Sequence, residues 1–201
     1  MPNEQLRSFH KVISALCLIA AIASQAVWAG HVNFVFGDRN LEEDFEPIDG
    51  QDTLGVVLFL EKDRWPVALA LGLYRSDSDR ESGTAFNSLL GPGTSRVVSE
   101  STELSVGVIK IWEKSPRAYP FIGGGLTLVE MVIKAETSGL DVFDDGRAVG
   151  LYANVGAFWR LGTAFNLGVD VRLVRDTEVK LFGEKFDADY IQFGWITGWG
   201  W

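Results

Sequence analysis

The stretch Ile191–Trp201, IQFGWITGWGW, decides how the rest of the chain is read. Alternate residues are Ile191, Phe193, Trp195, Thr197, Trp199 and Trp201, and between them lie Gln192, Gly194, Ile196, Gly198 and Gly200. Period-two alternation marks a strand with two unlike faces. One face is almost wholly apolar and carries three tryptophans within seven residues. On a water-facing surface that patch would associate or aggregate. A barrel strand facing lipid, with aromatics at the headgroup level, needs this pattern.

Working back toward the N-terminus, the same alternation recurs. Val32, Phe34 and Phe36 form the first apolar face, Leu54, Val56, Leu58 and Leu60 the second, and Val67, Leu69, Leu71 and Leu73 the third. Leu104, Val106, Val108 and Trp112 follow, and then a fifth strand from Tyr119 to about Ala135. On this fifth strand the alternation sets Val129, Met131 and Ile133 outward and Glu130 and Lys134 inward. A sixth strand runs from Val149 to Arg160 and a seventh from Phe165 to Leu173, which with the terminal segment makes eight. Each is near the ~9–11 residues that a tilted membrane strand requires. Connections at 61–65, 113–118 and 161–164 are short, whereas those at 40–51, 75–101, 135–147 and 175–189 are long and acidic. Short turns on one side and long loops on the other is the asymmetry of outer-membrane barrels. A soluble sandwich or lipocalin-like barrel would present a second face dense in charge. Here that face is largely Gly, Ala, Tyr and Asn, which suits a crowded interior.

The N-terminus reads as an address. Arg7 and Lys11 precede the apolar run Val12–Ala23, and Val27-Trp28-Ala29 offers small residues for cleavage after Ala29. This is the order of a secretory signal peptide, so residues 1–29 are expected to leave and Gly30–Trp201 to form one domain. The run is interrupted by Ser24 and Gln25 too early for the ~20 residues of a membrane helix. Cys17, the only cysteine, lies within the leader and follows the bulky Leu16, which argues against a lipoprotein site. An exported chain without disulfides draws its stability from the fold alone. A formal net charge of −9 offers no basic patch for nucleic acid.

Three segments carry a family resemblance: Tyr119–Leu126 (YPFIGGGL), the hairpin Gly156–Arg172 (GAFWRLGTAFNLGVDVR), and the aromatic-ended terminal strand. The chain resembles the small eight-stranded outer-membrane barrels, the OmpA-like, OmpX-like and OmpW-like domains. The resemblance implies an all-β, antiparallel, up-and-down transmembrane barrel. It also implies that Trp201, with Trp195 and Trp199 beside it, signals to the barrel-assembly machinery; the family usually ends in phenylalanine. Partners implied are outer-membrane lipid and lipopolysaccharide.

Chemistry is sparse. Lipid-modifying members of the group use a histidine, a serine and an acid near the outer rim, but the only histidine after residue 29 is His31, at the opposite end, where it reads as an ordinary terminal residue. No enzyme, cofactor or metal centre is expected. Acidic loops (Glu42, Glu43, Asp44, Glu46 and Asp49; Asp77, Asp79 and Glu81; Asp141, Asp144 and Asp145) suit a solvated rim or loose divalent cation bridging to lipopolysaccharide. Glu103, Glu130, Lys134, Asp170 and Arg172, joined by Arg39, are predicted to line the lumen as a charge network. Paired charges are tolerated there, whereas a lone one costs several kcal/mol (order of magnitude). The expectation is a side-chain-filled barrel with a structural or surface-interaction role. Phe59, Tyr74, Tyr152 and Phe158 on the inner face leave open a barrel for small solutes or an apolar ligand. Lys110 alone falls on the lipid face, near the strand end where it can snorkel to the interface.

Overall fold

The computed structural model describes residues 29–41, 49–81, 94–112, 118–137 and 140–201. Residues 1–28 of the expected leader and Glu42, Glu43, Asp44 and Glu46 lie outside them, and Ala29 opens the first strand. Ten strands form: β1 (Ala29–Leu41), β2 (Gly50–Glu61), β3 (Ala68–Glu81), β4 (Thr94–Ile111), β5 (Ala118–Thr137), β6 (Leu140–Leu161), β7 (Phe165–Arg175), β8 (Glu178–Leu181), β9 (Glu184–Asp187) and β10 (Tyr190–Gly200). Eight of them close a barrel in the order β1-β10-β7-β6-β5-β4-β3-β2, every pair antiparallel. The first and last strands close it, from His31 opposite Gly200 to Leu41 opposite Tyr190, with Gly30 and Trp201 exchanging backbone hydrogen bonds of 3.0 and 3.2 Å. Closure leaves no backbone edge for lipid to meet, which a membrane-spanning sheet requires.

The pleat converts the sequence alternation into two surfaces. Outward stand Phe36, Leu54, Leu104, Val106, Ile122, Leu126, Val155, Trp159, Phe193 and Trp195, the last 67% exposed. Phe34 and Phe165 meet Trp199 edge-on at 6.3 and 5.9 Å, so aromatics cluster where the chain's ends join. Along β6 the apolar face runs from Val149 to Trp159 and ends at exposed Arg147. At the rise and tilt of such strands this spans roughly 25 Å, the height of a membrane band. Exposed Asp38, Asp52, Arg75 and Arg175 end the band on neighbouring strands.

Three expectations about the outer side need correction. The loop expected at 135–147 is mostly sheet: β5 continues to Thr137 and β6 starts at Leu140, pairing to the tip. The loop expected at 75–101 is shortened likewise, since Glu81 pairs with Arg96. The loop expected at 175–189 holds the hairpin β8–β9, whose turn residues Phe182 and Gly183 both have positive φ (51° and 84°). That is the two-residue turn whose twist matches its strands. Polar outer faces, rather than loss of strand, mark where these segments leave the membrane.

Candidate functional site

An eight-stranded barrel is just wide enough for its own side chains, and here three layers fill it. The middle layer centres on Glu103 of β4, 1% exposed. Arg172 of β7 donates to its carboxylate at 2.5 Å, Arg39 of β1 stands 3.6 Å from the other oxygen, Thr127 donates at 2.7 Å and the Tyr190 hydroxyl donates as well. Arg39 continues to Gln51 at 2.5 Å and to Ser101, and Gln51 to Ser99 at 3.1 Å. Aromatic faces pack the guanidiniums: Arg39 lies 4.4 Å from the Tyr190 ring centre, and Arg172 lies 3.9 and 4.8 Å from those of Tyr152 and Tyr74. Hydrogen bonds and ion pairs tie together β1, β2, β4, β5, β7 and β10, and the ring faces add β3 and β6, so all eight barrel strands take part. Asp170 is buried on the same wall. Its Oδ1, Arg172 Nε and both amide atoms of Gln192 have no protein partner, and such buried atoms are ordinarily met by internal water.

The predicted network therefore divides. Glu103, Asp170, Arg172 and Arg39 lie inside the barrel. Glu130 and Lys134 do not: they stand outside, paired with Arg147 at 2.8 Å and Glu100 at 3.2 Å. The apolar residues alternating with them, Val129, Met131 and Ile133, are at most 1% exposed and point inward. The period is the expected one and the side is the opposite. Beyond the band the solvent is water outside and protein inside, so the apolar face inverts without any break in the strand.

What Met131 and Ile133 meet is the outer layer. With Leu41, Val97, Ala148 and Val174 they pack against Val179, Leu181, Phe186 and Ala188 from the β8–β9 segment. The hairpin folds into the mouth. A Cβ at Gly146 would lie 2.4 Å from Val179 and 2.7 Å from the Lys180 carbonyl, so glycine on β6 permits the approach. Asp189 fastens the base, accepting from the Thr177 N–H at 2.9 Å, its hydroxyl at 2.8 Å and Arg175 at 3.4 Å. Burial opposes ionisation of Asp189, but these donors hold its carboxyl below the ordinary value. Sequence reading missed this plug. Its signal was present in the alternation of Val179 and Leu181, followed by Gly183 and then Phe186.

The third layer, toward the periplasmic side, is aromatic. Phe158 stacks on Tyr119 with ring centres 5.2 Å apart, and Phe59 and Phe121 join them. His31 belongs to this wall rather than to a loose terminus. It is 4% exposed, its Nδ1 accepts from Asn166 at 2.9 Å, and its Nε2 faces Glu61 at 3.4 Å. Both ring nitrogens are thus engaged in holding the periplasmic end. Among the described residues no cluster of three or more metal-ligating side chains forms.

No family profile and no curated protein matches the chain. Solved structures do. Ail of Yersinia pestis, in complex with the heparin analogue sucrose octasulfate, aligns over 87% of this chain and 99% of its own at 8% identity and a TM-score of 0.58. A major outer membrane protein of Thermus thermophilus aligns over 88% and 100%, at 13% identity and 0.57. Neisserial surface protein A aligns over 87% and 97%, at 10% identity and 0.54. The chain has the fold of the small eight-stranded outer-membrane barrels. At these identities the likeness is one of architecture. The apolar band of the exterior is that of a barrel built to cross a membrane.

Proposed function

We propose that this barrel is a closed, non-enzymatic element of the outer membrane that acts through its stability and its outer surface rather than through a pore. The Glu103 layer carries this reading: a carboxylate held by two guanidiniums, a phenol and a hydroxyl joins opposite walls, with an apolar plug above and stacked rings below. Ions would have to break desolvated, charge-assisted bonds to pass. Planar-bilayer recording on the refolded protein tests this. Silence at both polarities is expected, and steady single-channel openings would overturn it.

A second reading, a barrel that holds a small apolar ligand, is favoured by the aliphatic wall beneath the β8–β9 hairpin. A ligand there would displace Val179, Leu181 and Phe186, so protease sensitivity of residues 176–189 would rise on adding a saturating alkane. Export and assembly fit either reading: a leader through Ala29, then insertion guided by Trp195, Trp199 and Trp201. An acidic rim including Asp49, Asp77, Asp144 and Asp145 suits loose divalent bridging to lipopolysaccharide phosphates.

A further inference from the structure

Lys110 is a cation on the lipid-facing side of the barrel wall. It stands on the outer face of β4, partly buried, and its Nζ donates to the Pro66 carbonyl at 2.7 Å. Pro66 belongs to the β2–β3 turn, which Arg64 reverses with φ 72° and which the Trp65 N–H closes onto the Lys62 carbonyl at 3.0 Å. Lys62 of the same turn lies 5.6 Å from the Trp65 ring centre. Between the turn and the end of β4 is a cleft of about 340 Å³ lined by Glu61, Lys62, Trp65, Pro66, Lys110 and Trp112. Glu61 also lines the cleft and stays ionised beside His31, so two ammonium groups against one carboxylate leave the cleft net cationic. Pro66 takes one of the three donors that a lysine carries.

Depth decides what such a cleft would meet. It sits at the periplasmic limit of the apolar band, with two indoles at the level where tryptophan favours headgroups. Directly above Lys110 on the same strand face, Val108, Val106 and Leu104 are 50%, 47% and 58% exposed to lipid. Cations at the interface with a hydrocarbon track above them complement a lipid with an anionic head. We propose that the cleft seats one anionic glycerophospholipid of the periplasmic leaflet, its phosphate between Lys62 and Lys110 and its chains along Val108, Val106 and Leu104. The proposal rests on the membrane placement of the barrel and is independent of whether the lumen conducts.

The test uses the refolded full chain in phosphatidylcholine nanodiscs doped with phosphatidylglycerol, released for native mass spectrometry. Wild type retains a single phosphatidylglycerol. The Lys62→Gln/Lys110→Met double variant retains roughly tenfold less or lower still, the scale of two lysines near an anionic headgroup. Lys185→Gln on the distant hairpin matches wild type. Heat-modifiable gel migration confirms that each variant is folded. Should the double variant fail to refold, Lys62→Gln alone in the exposed turn carries the test, with a several-fold loss. Equal retention by wild type and variant overturns the proposal. Stripping of the lipid by inorganic phosphate would also overturn it, because the site would then be one for a free anion.

Discussion

The two ends of the lumen are enclosed by the same sheet and filled by opposite means. On the periplasmic side the wall's own rings, Phe59, Tyr119, Phe121 and Phe158, meet across the axis. On the outer side the wall supplies smaller aliphatic residues, and a separate hairpin brings Val179, Leu181 and Phe186 to complete the packing. The first arrangement cannot open without unfolding the barrel. The second is held at its base by Asp189, at its turn by the Phe182 N–H donated to Asp144 of β6, and elsewhere by packing, so it is secured by fewer strand pairings than the wall. Local stability is lowest where few buried contacts and few strand pairings secure a segment. Between the ends, the Glu103 layer belongs to neither fill and joins all eight barrel strands.

Three experiments break or sharpen that comparison. The largest effect is expected from Glu103→Ala, which leaves Arg39 and Arg172 buried without their shared carboxylate. Loss of one partner of a buried pair costs about 3–5 kcal/mol. Urea unfolding of the refolded barrel should show a loss of unfolding free energy of that size, and a loss no larger than that of a surface variant would remove the layer from its central role.

A smaller effect, confined to the outer end, follows from Asp189. Its carboxyl ionises more readily in the folded state than in the unfolded chain. Its contribution is therefore fully present above the unfolded value, about 3.9, and is lost as pH falls through the lower folded value. Exchange of the Thr177 amide, corrected for its intrinsic rate, should accelerate as that range is entered, while amides of the aromatic layer stay protected. Asp189→Asn should abolish the pH dependence. Exchange that responds to pH equally at both ends would erase the distinction between them.

The smallest effect is expected outside the barrel. Glu130 and Arg147 pair in solvent, with side-chain exposures of 43% and 66%. Exposed pairs contribute about 0.2–1 kcal/mol, so Glu130→Gln should lower the unfolding free energy by less than about 1 kcal/mol. A loss approaching that of Glu103→Ala would mean that the charge lies in the lumen after all.

The strand count, the closed antiparallel order and the lipid-facing residues were legible because a bilayer imposes a period-two pattern over a fixed height. Trp195, Trp199 and Trp201 carry that pattern most plainly, and Lys110 marks its lower limit. The charged layer was half legible. Glu103, Asp170 and Arg172 lie within the band, where polar residues can face only inward. Glu130 and Lys134 lie above it, on the face of Leu126 and Leu128, so parity carried along the unbroken β5 assigns them outward, whereas their charge alone suggested the lumen.

Sequence alone determined which residues share a face, since parity along a strand is local. It also determined where hydrocarbon must lie, since only lipid matches so much exposed apolar surface. Tertiary structure decided what the inward residues meet. The union of Arg39, Glu103, Arg172 and Tyr190 spans more than 150 residues of chain. The entry of the β8–β9 hairpin into the mouth depends on glycines at 146 and 150, distant in sequence from the side chains they accommodate. Closing the sheet brings both sets together, because the register between β1 and β10 fixes every other strand's height.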